Sequence, residues 1–207
     1  MLGTSGNLSA LVTEPAMGRN SDEAKSFEFL ITVSGKDKGE LTEDDFILVD
    51  EKGEEISYAH TPIRPHSHKP SAETLLHSTI YKHTNANSVF HVHTTNSTLL
   101  SNHMLDGQDK SYPYISFSGL EMLKGLGFKT HDVKISIPII ENSQDMKYLA
   151  GIVPSYINED VPGLLLAGHG IYGWGKSVQE AKRHIEILEF LFEYRVKELS
   201  LIKASNL

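Results

Sequence analysis

Residues 88–96 read SVFHVHTTN, and two histidines take alternate places in an apolar, β-branched run. In an extended strand, residues i and i+2 point to the same face. His91 and His93 therefore stand side by side, while Phe90 and Val92 face the opposite way, toward the core. A buried strand normally takes Val or Ile at such positions, so the fold must give the two rings something to bind. A neutral imidazole is the commonest protein ligand for a borderline divalent metal. Two ligands do not close a catalytic site, because zinc usually takes three protein groups and leaves one position open.

The third candidate is His169, in the stretch LLLAGHGIYG. It follows a buried apolar run and lies between two glycines, which allow a sharp turn and a close approach. H-x-H on a buried strand together with G-H-G is read as a metal site rather than as three separately satisfied histidines. The chain holds eleven histidines. His66 and His68 form a competing pair in a proline-rich loop, which is read as solvated. His77 lies one turn after Glu73 on the same helix face, and the pair is expected at the surface. His83, His103, His131 and His184 carry no metal pattern.

The rest of the chain alternates short strands with helices. Strand signals cover Phe27–Ser34, Phe46–Val49, Ser88–His93, Lys134–Ile140, Gly163–Gly168 and Ile171–Trp174. Helical signals open at Ser71, running to Asn85, and recur at Asn96–His103, Gly119–Leu126, Ser143–Asn158 and from Ser177 to about Leu201. This order predicts one α/β domain over residues 1–207, with a central sheet covered by helices on both faces. Hairpin-like spacing of the N-terminal strands makes that sheet mixed and largely antiparallel.

The composition narrows the function. With 39% hydrophobic and 22% charged residues the chain has the profile of a globular protein. No apolar run approaches the roughly 20 residues of a membrane span, and the first ten residues do not form a signal peptide. The absence of cysteine excludes disulfides, thiolate metal sites and cysteine nucleophiles, and it fits a reducing cytoplasm. A net charge of −8 with no basic cluster argues against nucleic-acid binding. It leaves room for a phosphorylated metabolite, provided that the anion is held locally.

Three short stretches are suited to hold an anion, namely Thr4–Asn7, Ser34–Gly39 and Ser71–Ala72. Each places a hydroxyl beside a small residue, so that backbone N–H groups can converge on the ligand. Ser71 adds a helix N-terminus. A divalent metal that polarises a carbonyl also calls for a base to take the acidified proton. Glu73 and Glu121 are the candidates, each in the first turn of a helical segment.

The segments TSGNLS (Thr4–Ser9), PSAETLLH (Pro70–His77), HVHTTNSTLLS (His91–Ser101) and GHGIYGWG (Gly168–Gly175) resemble those of the class II aldolase/adducin family. The resemblance spans nearly the whole chain in the same order. Within the family, EMLKG (Glu121–Gly125), ENSQD (Glu141–Asp145) and the tail EAKRHIEILEFLFE are similar to the dehydratases of methionine salvage. The resemblance implies a three-layer domain and one zinc ion on His91, His93 and His169. It also implies a homotetramer with the site near a subunit interface, and a phosphate held by Gly6, Asn7, Ser34, Gly35 and Ser71. Ala72 stands where the family's aldolases carry a second hydroxyl. Glu73 matches the acid/base position of the aldolases, and Glu121 that of the dehydratases.

The activity so implied is the loss of water from 5-methylthioribulose 1-phosphate, giving the 2,3-diketone. Lys124, one turn after Glu121, is a candidate to assist the anion. Two other readings stand beside this one. A sugar-phosphate aldolase of the fuculose or rhamnulose type would use the same zinc to break a C–C bond. An adducin-like interaction domain would do no chemistry. The EMLKG and ENSQD stretches speak against the first, and three intact candidate ligands against the second. The family usually carries a helix before the Thr4–Asn7 stretch, so either the chain starts further upstream or it lacks that element. The polar insert Glu14–Lys25 is expected to form a surface hairpin.

Overall fold

The structure, a computed structural model, describes residues 6–12, 26–56, 69–106, 114–158 and 160–205. Thr4, Ser5, the insert 14–25 and the His66/His68 pair lie outside the described residues. The strands are β1 (Asn7–Leu11), β2 (Glu28–Thr32), β3 (Phe46–Asp50), β4 (Ser88–Val92), β5 (Tyr114–Phe117), β6 (Ile135–Ile140), β7 (Gly163–Leu166) and β8 (Gly170–Gly175). The helices are α1 (Thr74–His83), α2 (Thr95–Asp106), α3 (Met146–Ile152) and α4 (Val178–Ser205). The strands form one sheet in the order β3-β2-β1-β4-β8-β7-β6-β5. Among the described residues, only the β6–β7 pairing is parallel. The expected mixed, largely antiparallel sheet between helices is the architecture observed.

Side-chain alternation splits the apolar residues into two clusters, one per face. On one face Phe29, Ile31, Val89, Leu164, Leu166 and Tyr172 pack with Leu76 and Ile80 of α1 and Leu149 of α3. On the other face Val92, Ile137, Ile139, Leu165 and Ile171 pack with Leu100 of α2 and Leu188, Leu191 and Phe192 of α4. Period-2 alternation places neighbours such as Leu164 and Leu165 in different layers. The cover is uneven. Along β1–β3 most residues opposite the first cluster are partly or fully exposed, Leu30 among them, with Thr32 the buried exception. Those strands thus have the one-sided pattern of an antiparallel sheet with a wetter face.

Four local readings are corrected. The first helix starts at Thr74 rather than Ser71. The backbone N–H and hydroxyl of Thr74 both bond the Ser71 carbonyl, so Ser71–Glu73 forms a turn. Residues 121–126 form a 3-10 helix, Glu121–Leu126, instead of an α-helix. The span Ser143–Asn158 is divided. Asp145 accepts from the N–H groups of Lys147 and Tyr148, which delays the start of α3 to Met146. Pro154 lacks an N–H and crowds the preceding turn, so α3 passes into the 3-10 helix Val153–Tyr156. Strands β1 and β5 are only five and four residues long, too short to be read from the sequence, and both find their place by pairing.

Candidate metal centre

The site lies where β4 ends and β8 begins. These strands are antiparallel neighbours, with His91 opposite Tyr172 and Val92 opposite Ile171. The end of β4 therefore lies beside the turn that carries His169. The turn is shaped by Gly168, whose φ of 64° favours glycine. At Gly170 a Cβ atom would fall 2.4 Å from the Val92 carbonyl oxygen and 3.1 Å from the His91 ring. Only glycine lets β8 approach the histidine pair so closely. The Gly168 N–H donates to Ser101 Oγ (3.0 Å), which ties the turn to α2. Thr94, directly after His93, bonds Glu189 of α4 at 2.5 Å and accepts from the Ser97 N–H. The HVHTTNSTLLS stretch thus anchors both metal-candidate segments as well as supplying two of the rings.

His91, His93 and His169 converge, with one ring nitrogen of each lying within 4.8 Å of the others. His91 Nε2 is 2.8 Å from His93 Nε2 and 3.4 Å from His169 Nε2. His91 Nδ1 is 2.9 Å from the Ile171 carbonyl oxygen, which can only accept. The proton of a neutral His91 therefore sits on Nδ1, and its Nε2 lone pair faces the other rings. The Tyr172 ring stacks on His91 at 4.1 Å and holds its plane. Burial, and next the neighbouring His169, hold the His91 pKa well below the usual histidine value; the same causes lower that of His93. Three imidazole nitrogens aimed at one point are a donor set for a cation, and the site fits a three-imidazole metal centre.

Glu73 lies against this set. Its Oε1 is 3.1 Å from His169 Nε2, and its Oε2 is 3.4 Å from His91 Nε2. Asn7 stands opposite His91 in the β1–β4 register and so shares its face. The Asn7 amide donates to Glu73 Oε2 (2.5 Å) and to Ser71 Oγ (2.9 Å).

A cleft of about 270 Å³ opens over these groups. Gly6, Asn7, Ser34, Gly35, Ser71, Ala72 and Glu73 line it together with His93 and His169. Of the Ser34–Gly39 stretch, Ser34, Gly35 and Lys38 line the cleft, whereas Lys36, Asp37 and Gly39 do not. Lys38, Gln144 and Met146 were not singled out, yet they line the same cleft. Lys38 is almost buried, and that burial, opposed by Asp37 and Asp45, lowers its pKa. The signals were present in SGKDKG and ENSQD, but neither motif says which side chain turns inward. A larger cleft of about 630 Å³, beside Trp174 and Lys176 at the opposite end of β4 and β8, contains none of these groups.

Two candidates lie elsewhere. Glu121 is not among the residues lining the metal cleft. Its side chain is 72% exposed and pairs with Lys124 at 2.6 Å, with His131 Nδ1 at 3.6 Å. The bond to Lys124 lowers its pKa. His77 corrects the surface reading, for it is fully buried between Ser9 and Asn7. The helix pattern showed Glu73 and His77 sharing a face but could not show β1 lying across it.

Burial pushes the His77 pKa from 6.5 to about 3. Between those values the unfolded chain binds more protons at this residue than the folded one, so stability falls as the pH falls. His77 alone is expected to remove about 2 kcal/mol between pH 7 and pH 5. Urea unfolding of the metal-free protein at the two pH values measures the loss, and His77→Gln should make the pH dependence shallower by that amount.

Three comparisons bear on the site. A family model described as "Class II Aldolase and Adducin N-terminal domain" matches residues 1–196. The methylthioribulose-1-phosphate dehydratase of Bacillus subtilis (strain 168) is 43% identical over 194 residues, 94% of this chain and 83% of that protein. Among solved structures, YgbL of Escherichia coli superposes with a TM-score of 0.63 at 26% identity, over 93% of this chain and 78% of that one. An L-fuculose 1-phosphate aldolase gives 0.64 at 19% identity, over 96% and 78%, a likeness of fold alone.

Proposed function

Since the chain belongs to the class II aldolase and adducin family, we propose that it is a zinc-dependent hydro-lyase of methionine salvage. In this reading it dehydrates 5-methylthioribulose 1-phosphate in the cytoplasm. The observation that carries the proposal is the convergence of His91, His93 and His169 beside an anion cradle. The identity to proteins named as that dehydratase, and the EMLKG and ENSQD stretches, favour water loss over aldol cleavage.

Zinc on the three imidazoles would supply a Lewis acid that draws electrons from a carbonyl and acidifies the adjacent C–H. The chain's own residues do the rest. Ser71 Oγ accepts from Asn7 and from the Glu73 N–H (3.3 Å), which leaves its own proton for a phosphate oxygen. Gly6 and Gly35 bring backbone to the same cleft, Ser34 brings its hydroxyl while its N–H bonds the Lys69 carbonyl, and Lys38 adds a positive charge. Both Asn7 amide hydrogens are engaged, so Asn7 serves the phosphate through Ser71. A protein of net charge −8 needs such a local arrangement to attract an anion.

The reaction removes the C3 proton and the C4 hydroxyl as one water, and the resulting enol becomes the 2,3-diketone. Atoms balance without an oxidant or reductant. We assign the proton transfer to Glu121, ionised beside Lys124. Because Glu121 is exposed and outside its own chain's cleft, it acts at the cleft of a neighbouring copy in a homotetramer. Exposed Leu30, Leu99, Phe190 and Leu201 are apolar surface suited to such contacts. Glu73, held by Asn7 and two histidines, orients the centre and serves as the second acid/base group.

Purified, zinc-loaded protein should convert the substrate to the diketone and water. Chelation should abolish turnover and zinc should restore it; release of glycolaldehyde or a triose phosphate would instead establish aldol cleavage. The placement of Glu121 has its own test. Glu121→Gln and His91→Ala chains should each be inactive alone. Co-expressed and purified as mixed oligomers, they should recover about a quarter of wild-type turnover if the carboxylate acts across an interface. Mixed oligomers that stay inactive would refute the assignment in trans.

A further inference from the structure

A chain of buried hydrogen bonds runs from the core to the anion cradle, and its direction can be derived. Ser9 Oγ is 2.6 Å from Tyr81 Oη and 2.7 Å from His77 Nδ1. His77 Nε2 bonds Asn7 Oδ1. Asn7 Nδ2 reaches Glu73 Oε2 and Ser71 Oγ. Ser9, Asn7, Glu73 and His77 are all buried.

An ionised carboxylate can only accept. Asn7 must therefore turn its NH₂ toward Glu73 and its oxygen toward His77. That oxygen requires a proton on His77 Nε2. The neutral ring then has a lone pair on Nδ1, which takes the Ser9 hydroxyl proton. Ser9 in turn accepts from Tyr81. The alternative tautomer would set Nε2 against Asn7 Oδ1, two acceptors in a buried space, or flip the amide and set its oxygen against Glu73. Either arrangement leaves buried polar groups unsatisfied, at a cost of about 1–3 kcal/mol each. Burial keeps the ring neutral, as its low pKa records.

We propose that His77 is a positioning residue for the anion site. Through one fixed tautomer it locks the Asn7 amide, which presents the Ser71 hydroxyl to phosphate and holds the Glu73 carboxylate toward His91 and His169. The role in phosphate binding rests on the cradle proposed above. It does not depend on which phosphorylated sugar is bound or on what reaction follows.

The test uses inorganic phosphate as the probe, on zinc-loaded protein, with zinc content and thermal unfolding measured alongside. His77→Leu removes the donor to Asn7 Oδ1 and leaves that oxygen buried without a partner, so the amide is no longer held from this side. His77→Gln keeps an N–H near the Nε2 position. The expected result for His77→Leu is phosphate binding about tenfold weaker at unchanged zinc content, with His77→Gln recovering most of the loss. With the sugar phosphate, KM should rise more than kcat falls. If His77→Leu does not fold, Ser9→Ala removes the hydroxyl that holds His77 Nδ1, which loosens the ring against Asn7, and should weaken phosphate in the same direction. Folded His77→Leu or Ser9→Ala binding phosphate as the wild type does would overturn the proposal, and so would failure of His77→Gln to recover binding. A wild-type protein that binds phosphate but does not dehydrate the sugar would sink the proposed reaction and leave this inference standing.

Discussion

Three imidazole nitrogens aimed at one point are the constraint on which the rest of the structure depends. Lone pairs at such separations repel, and burial denies His91 and His93 the usual relief of protonation. His91 has the least freedom. Its Nδ1 is committed to the Ile171 carbonyl, its plane to the Tyr172 ring, and its position to the middle of the sheet. A cation at that point would satisfy all three rings at once. The antiparallel β4–β8 pairing, the two glycines around His169 and the Ser101 and Thr94 bonds are the means by which the fold holds these nitrogens together.

The neighbourhood extends this logic outward. Glu73 lies against the histidines, and Asn7 holds both its carboxylate and the Ser71 hydroxyl. In the proposed function the cleft thus separates two roles over a short distance, with the candidate cation ligands on the β4–β8 side and the candidate anion donors on the β1–α1 side. β1 makes this possible, because its register with β4 sets Asn7 beside His91 and Ser9 beside Val89. On the proposed reading, an overall negative protein handles a negative ligand by local geometry rather than by net charge.

Much of this was legible in the sequence. Period-2 spacing put His91 and His93 on one face, and glycines on both sides of His169 marked a turn able to meet them. The anion stretches were visible as small and hydroxyl residues in three separate places. Other features were hidden for physical reasons. Helical spacing paired Glu73 with His77 but could not distinguish a surface from the underside of β1, so the buried relay went unseen. Ser71 reads as a helix cap, yet its hydroxyl is engaged by Asn7 from a strand 64 residues away. The lysine that enters the cleft, Lys38, could not be told from Lys36, whose side chain pairs with Asp45. Such assignments depend on tertiary contacts, which local pattern does not encode.

The central claim is the three-histidine centre, and X-ray absorption at the zinc edge of the loaded protein tests it most directly. One ion per chain is expected, with three imidazole nitrogens at about 2.0–2.1 Å, and that signal should be lost when His169 is replaced by alanine. A coordination shell without histidine, or one that survives unchanged in the His169→Ala protein, would contradict the claim.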